Sequence, residues 1–189
     1  MFVRNALLWF VLLGVGSADA GERTWYRPTV FQSFDAAVSE VFAGADSVWS
    51  ETWTPTTEER TALDERLGEH VSESSFTFHR GRLGSHDMGW ALVLDEIGLH
   101  EPITHLVKID DDGTIADVRI LVFRETRGDA IKRPRFLQQF RGKTGRDRLT
   151  VGRDIDAVTG ATYSSKAITR GVRKALALVA ARYENRRDR

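Results

Sequence analysis

Apolar residues along this chain follow two periods: close to four at the front and the end, and close to two between. Phe34, Val38 and Phe42 recur at four-residue spacing with Ala37 beside them, which predicts a helix near Phe31 to Ala43, ended by Gly44. A strand-like segment from Val48 to Trp53 leads to Thr54-Pro55, which reads as the N-cap and first-position proline of a second helix running to about Leu67 and stopped by Gly68. From Ser74 the pattern alternates. Phe76 and Phe78 interleave with Thr77 and His79, Gly81 to Gly84 reads as a turn, and Trp90 to Leu94 as the next strand. His105 to Ile109 and Val118 to Phe123 predict two more strands, joined through Asp110-Asp111-Asp112-Gly113 as a hairpin-type turn. Phe136, Leu137 and Phe140 predict one or two helical turns in a basic stretch. A long helix from about Tyr163 to Tyr183 then carries Ile168, Val172, Ala175, Val179 and Tyr183 on one face. The expected fold is α+β: a helical N-terminal part over 21–73, then a domain over 74–184 with an antiparallel sheet and a long C-terminal helix, and a basic tail over 185–189.

The first twenty residues stand apart from that pattern. Arg4 precedes an apolar run from Ala6 to Gly16, and Ala18-Asp19-Ala20 places small residues where an export peptidase cuts. The reading is a signal peptide over 1–20 and a periplasmic or otherwise exported protein. The alternative, a retained anchor that ties the chain to the membrane, meets the difficulty that spanning takes about 20 apolar residues.

Composition then narrows the chemistry. The 27 basic and 27 acidic residues give a formal net charge of zero, which removes the long-range attraction a polynucleotide partner needs. The chain has no Cys, which excludes disulfides, thiolate-held iron–sulfur clusters, attached c-type haem and a thiol nucleophile. The acidic turn fails as a calcium loop. Aligning Gly113 with the sixth place of an EF-hand puts Lys108 first and Arg119 twelfth, where carboxylates are required. Gly142-Lys143-Thr144 fails as a phosphate-binding P-loop because Leu137 occupies the first glycine's place. The five histidines show no helical metal-ligand spacing, and no nucleophile elbow is present.

The segment richest in chemistry is Asp154 to Lys166, where the last helix begins. A first helical turn offers unpaired N–H groups and a positive dipole end, suited to phosphate. Gly160 and Ala161 let a ligand approach the backbone, Thr159, Thr162, Ser164 and Ser165 can bond phosphate oxygens, and Lys166 adds charge. The same residues also admit a plain reading, with Asp156 or Thr159 as caps, Gly160 as a turn residue, and Ser164 and Ser165 as ordinary first-turn positions.

The run Asp156-Ala157-Val158-Thr159-Gly160-Ala161-Thr162, followed by Ser164-Ser165, resembles the covalent flavinylation motif of the FMN-binding domain family. That family includes the C subunit of the sodium-translocating NADH:quinone reductase, the G subunit of the Rnf complex and the exported domain of a nitrous-oxide regulator. Phe42 to Asp46, the hairpin Val107 to Val122, Glu125-Thr126 and Pro134 to Phe140 resemble stand-alone members of it. The resemblance implies FMN joined to Thr162 by a phosphoester, installed from FAD by a separate magnesium-dependent flavin transferase. It also implies membrane or periplasmic redox proteins as partners, and a redox carrier rather than a self-sufficient oxidoreductase. A flavin-dependent sensory module and a structural domain that never receives flavin are the alternatives. Glu125 and Thr126 are candidates for contacting the flavin, and Trp90 and Phe136 for packing on its ring. One departure is Glu125-Thr126-Arg127-Gly128, where the large redox pumps tend to read Glu-Thr-Pro-Gly; this weakens any assignment to a membrane pump.

Overall fold

The computed structural model describes residues 28–183, so the signal-peptide reading and the basic tail lie outside the described residues. Six antiparallel strands form one sheet: β1 (Thr29–Val30), β2 (Ser47–Trp53), β3 (Phe76–Leu83), β4 (His86–Ile97), β5 (Pro102–Ile109) and β6 (Ile115–Phe123), in the order β1-β6-β5-β4-β3-β2. From β2 to β6 the chain is a meander, and β1 adds to the free side of β6. Among the described residues there are four α-helices: α1 (Phe34–Val41), α2 (Thr57–Leu67), the single turn α3 (Pro134–Leu137) and α4 (Thr162–Tyr183). The α+β architecture with a long C-terminal helix is therefore present. Residues before 74 are more than a helical preface, because β1 and β2 supply both edges of the sheet.

Each face of the sheet has its own cover. Ala37, Val38 and Phe42, from α1 and its C-cap, pack with Ala91, Leu106 and Leu121 on one side. On the other, Leu92, Leu94, Ile103, Val107 and Ile120 meet Ile168, Val172, Ala175 and Val179 of α4, with α2 flanking that helix. The alternation of these positions along each strand is what assigns them to opposite faces.

Three local expectations shift, each for a physical reason. α1 starts three residues later than its apolar period suggested, because Phe31 N–H donates to the Leu121 carbonyl and extends the sheet edge. α2 is capped by Thr56, not Thr54: the Thr56 hydroxyl accepts from Glu59 N–H and the Glu59 carboxylate accepts from Thr56 N–H, a reciprocal pair. Gly81 lies inside β3 rather than in a turn. A Cβ there would stand 2.4 Å from the Phe42 ring, so the glycine makes room for α1's C-cap, and the chain reverses at Gly84 instead.

Candidate functional site

The motif is assembled from three loops at the N-terminal end of α4. The first is the loop before it. Asp154 accepts from Leu149 N–H at 2.9 Å and Thr150 N–H at 2.7 Å, while Thr150's carbonyl accepts from the N–H groups of Arg153, Asp154 and Ile155. Partial burial pushes the Asp154 carboxyl up, but the backbone donors and the Lys143 charge outweigh it and hold the group below the usual aspartate value. This closed turn delivers the chain to Asp156 in a fixed direction.

The second is the stretch just after the 3-10 turn Asp129–Lys132. Gln139 clamps Asp156 by both ends of its side-chain amide. Its Oε1 accepts from Asp156 N–H at 2.7 Å and its Nε2 donates to the Asp156 carbonyl at 3.2 Å. Between this stretch and the motif lies a groove of about 430 Å³, lined by Arg133, Arg135 and Phe136 on one wall and Asp156 to Thr159 on the other. Arg133 and Arg135 are exposed, and among the described residues neither has a carboxylate partner.

The third is the loop leaving β6. Gly128, at φ 94°, lies against α4 so closely that a Cβ would stand 2.7 Å from Ser164 Oγ and 3.4 Å from the Ala161 Cβ. The loop that carries Glu125 to Gly128 thus meets the motif at Gly128.

At the helix start itself, Gly160 adopts φ 77°, with open space where a Cβ would point. Ser165 reaches back, its hydroxyl accepting from Val158 N–H and donating to the Ala161 carbonyl. Neither Asp156 nor Thr159 caps the helix with its side chain among the described residues, so the plain capping reading does not describe what these two do. The N–H groups of Thr162, Tyr163 and Ser164 also find no acceptor in the surrounding loops among the described residues. Thr162 and Tyr163 are exposed, and neither side chain makes a hydrogen bond or ring contact among the described residues. A partner-free hydroxyl therefore stands beside unpaired donors at the positive end of a 22-residue helix.

The remaining sequence candidates divide. Lys166 is exposed one turn further on, and Ser164 and Ser165 are buried, Ser165 serving the loop as described. Thr126 is exposed beside Gly128. The Glu125 carboxylate turns toward the β4–β5 connection, where its Oε1 accepts from His100 N–H at 2.7 Å and Glu101 N–H at 3.1 Å. Phe136 does border the groove, although its ring is mostly buried against Phe140. Trp90 is at the wrong end. It packs on Tyr183 with ring centroids 5.1 Å apart, and at about 1.5 Å per residue Tyr183 lies roughly 30 Å along α4 from Thr162. Sequence reasoning missed Arg133, Arg135, the Gln139 clamp and Tyr163. The Arg-x-Arg spacing ahead of Phe136 was the signal available for the first two.

Comparison with known proteins bears on this region through a family model. A family model described as the FMN-binding domain matches residues 98–177. The G subunit of the proton-translocating ferredoxin:NAD(+) oxidoreductase complex from Clostridium ljungdahlii is 32% identical over 107 residues, covering 52% of this chain and 57% of that protein. The G subunit of an ion-translocating oxidoreductase complex from Stutzerimonas stutzeri is 33% identical over 97 residues, 46% of this chain and 42% of that one. The chain thus spans about half the length of the curated relatives it matches. The crystal structure of Shewanella oneidensis NqrC shares the fold, with a TM-score of 0.55 at 16% identity over 79% of this chain and 88% of that one.

Proposed function

We propose that this chain is an electron-transferring flavoprotein whose FMN is joined covalently to Thr162, a reading that rests on the match of residues 98–177 to the FMN-binding domain model. One observation carries the attachment point: among the motif's serines and threonines, Thr162 alone combines an exposed hydroxyl with a place in the unpaired first turn of α4. The residues fit the group. The free N–H groups of Thr162, Tyr163 and Ser164 can receive the phosphoester oxygens, Arg133 and Arg135 add positive charge from across the groove, and Gly160 leaves the approach open. Bound FMN supplies one- and two-electron chemistry.

The protein's own part is to position and expose. Gln139 and Asp154 fix the loop that carries the motif, Ser165 ties that loop to α4, and Gly128 seats the β6 loop on the same helix turn. Glu125 belongs to this scaffold: its carboxylate holds the β4–β5 turn in place near the site. Thr126, on the same loop, remains the nearer candidate for touching the flavin. Maturation is the work of a separate flavin transferase acting on FAD, as the resemblance of the motif implies. Among the described residues no helix is long and apolar enough to cross a membrane, and the signal-peptide reading makes export the natural setting. The partners are then redox proteins in or at a membrane, the kind of oxidoreductase complex for which both curated relatives are named.

The carrier role is tested by mixing the flavin-loaded protein anaerobically with respiring membrane vesicles and following the visible flavin absorbance. Bleaching on addition of donor and recovery on addition of acceptor, repeated over several cycles, is the expected result. Flavin that stays oxidised while the protein binds those membranes would favour the sensory reading instead.

A further inference from the structure

A second set of grooves lies on α4 away from the motif. The loop 143–148 and the last turn of α2 enclose a groove of about 410 Å³ bordered by Arg66 and Arg146, with Leu176, Val179 and Ala180 of α4 as its apolar wall. Adjoining it is a smaller one of about 200 Å³, bordered by Arg66, Arg148 and Arg173. Gly145 belongs to both, and a Cβ on it would stand 3.4 Å from an Arg66 guanidinium nitrogen, so Arg66 rests against the loop backbone at the junction. Arg173 follows Thr162 by eleven positions, roughly 16 Å along the helix.

The charges here, like those of Arg133 and Arg135 beside the motif, are not balanced by carboxylate partners among the described residues, whereas several arginines elsewhere are paired. Arg80, Arg119, Arg124 and Arg170 each face a carboxylate. Arg66, Arg146 and Arg148 make no ion pair and donate no side-chain hydrogen bond among the described residues, and Arg173 spends one N–H on the Leu67 carbonyl. Two carboxylates adjoin the grooves. Asp112 accepts from the N–H and hydroxyl of Thr114, and Asp147 accepts from the N–H and hydroxyl of Thr144 with Lys143 at 4.0 Å. Four guanidiniums against two carboxylates engaged in their own turns, on a chain of zero net charge, leave a local excess of positive charge. Arg66, Arg146 and Arg148 are exposed, and such a local excess attracts anions from solution.

We propose that these grooves bind a nucleoside diphosphate or a similar phosphorylated organic anion, separately from the flavin. Guanidinium forks match phosphate oxygens in pairs, and Arg66 at the junction, with Arg146 bordering one groove and Arg148 the other, would grip a diphosphate there. The larger groove falls within the roughly 300–1,000 Å³ of small-molecule sites. Its α4 wall offers an apolar face for the organic part. A polynucleotide would need a continuous basic track, whereas this positive excess is confined to one loop and two helix faces.

The test is calorimetric titration of the full chain carrying Thr162→Ala, which cannot hold covalent flavin, with ADP as the probe, alongside amide shift mapping. Expected are binding at one site, shifts centred on Gly145 to Arg148, weaker binding of inorganic pyrophosphate, and at least a tenfold loss in Arg66→Ala/Arg146→Ala. Arg66→Lys/Arg146→Lys, which keeps the charges and removes the forks, should fall between, and Arg133→Ala/Arg135→Ala should bind as the parent does. The proposal is overturned by no binding at millimolar ADP, by unchanged affinity in the Arg66/Arg146 variants, by shifts at Asp156 to Thr162 instead, or by a hexaglutamate peptide binding where ADP does not. That last result would assign the grooves to an acidic protein partner. Flavinylation of the wild type has no bearing on any of these outcomes.

Discussion

Thr162 is distinguished from the serine and threonine hydroxyls that follow it in α4 by what it does not do. Ser165 is consumed by the Val158 N–H and the Ala161 carbonyl, Thr169 by the Ser165 carbonyl, and Ser164 is packed under Gly128, while Thr162 stays exposed and unpartnered among the described residues. Its placement depends on Gln139, which holds Asp156 through two hydrogen bonds. Each such bond contributes about 0.5–1.5 kcal/mol net. Gln139→Leu should therefore loosen the motif loop, slowing flavinylation several-fold in a time course with a flavin transferase, while far-UV circular dichroism stays native. An unchanged rate would remove Gln139 from the account. The motif was readable in the chain because its residues are contiguous and act through their own backbone. The Gln139 clamp and the Arg133–Arg135 wall were not, because they meet the motif only after α3 and the 3-10 turns Asp129–Lys132 and Gln138–Phe140 fold that segment against the loop before α4. Trp90 was misplaced for a related reason. Its apolar strand position was correct, but nothing local says which end of a 22-residue helix a strand residue will meet.

Among the elements, α4 sets the position of everything at the site, and it is held to the sheet by more than apolar contact. Glu96 of β4, almost fully buried, lies 2.5 Å from both Arg170 and Lys174, and Arg170 also donates to the Ile97 carbonyl. Beneath these, Gly171 lets the helix approach β5. A Cβ there would be 2.1 Å from His105 Nε2 and 2.9 Å from the Glu96 Cγ. In an ordinary helix interior Gly→Ala gains up to about 1 kcal/mol. Here overpacking reverses the sign, and Gly171→Ala should destabilise by about 1–3 kcal/mol in urea titration. Adding His105→Ala should recover part of that loss, and a stabilised Gly171→Ala would refute the close approach. The period of α4 was plain in the sequence, and so was its start within a residue. The need for glycine at 171 was not, because it comes from β5. The same limit explains Gly81, which reads as a turn residue until Phe42 of the α1 C-cap is seen occupying its missing side chain.

For the molecule as a whole, acid stability rests partly on His105. Complete burial pushes its imidazole below the ordinary histidine value of about 6.5, outweighing the Ile103 carbonyl and the Glu96 and Asp95 charges, which act the other way, while Lys174 adds to the lowering. A group with a lowered folded pKa stabilises fully above its unfolded value, and the contribution is lost as the pH falls through the folded one. The unfolding free energy should accordingly decline from neutral pH towards about pH 5. His79, also lowered by burial, contributes to the same decline, so the informative comparison is His105→Gln: the slope should become shallower, and an unchanged slope would show that His105 is not a source of it. The antiparallel sheet and closing helix were legible from periodicity; the two-edge role of the front segment was not, since β1 is only two residues long. All these parts converge on one exposed hydroxyl. The measurement that bears on it most directly is the intact mass of the protein co-expressed with a flavin transferase in an exporting host. Attachment at Thr162 predicts a gain of one FMN less one water in the wild type and none in Thr162→Ala. An unmodified wild type, or a Thr162→Ala protein that still gains the flavin, would contradict it.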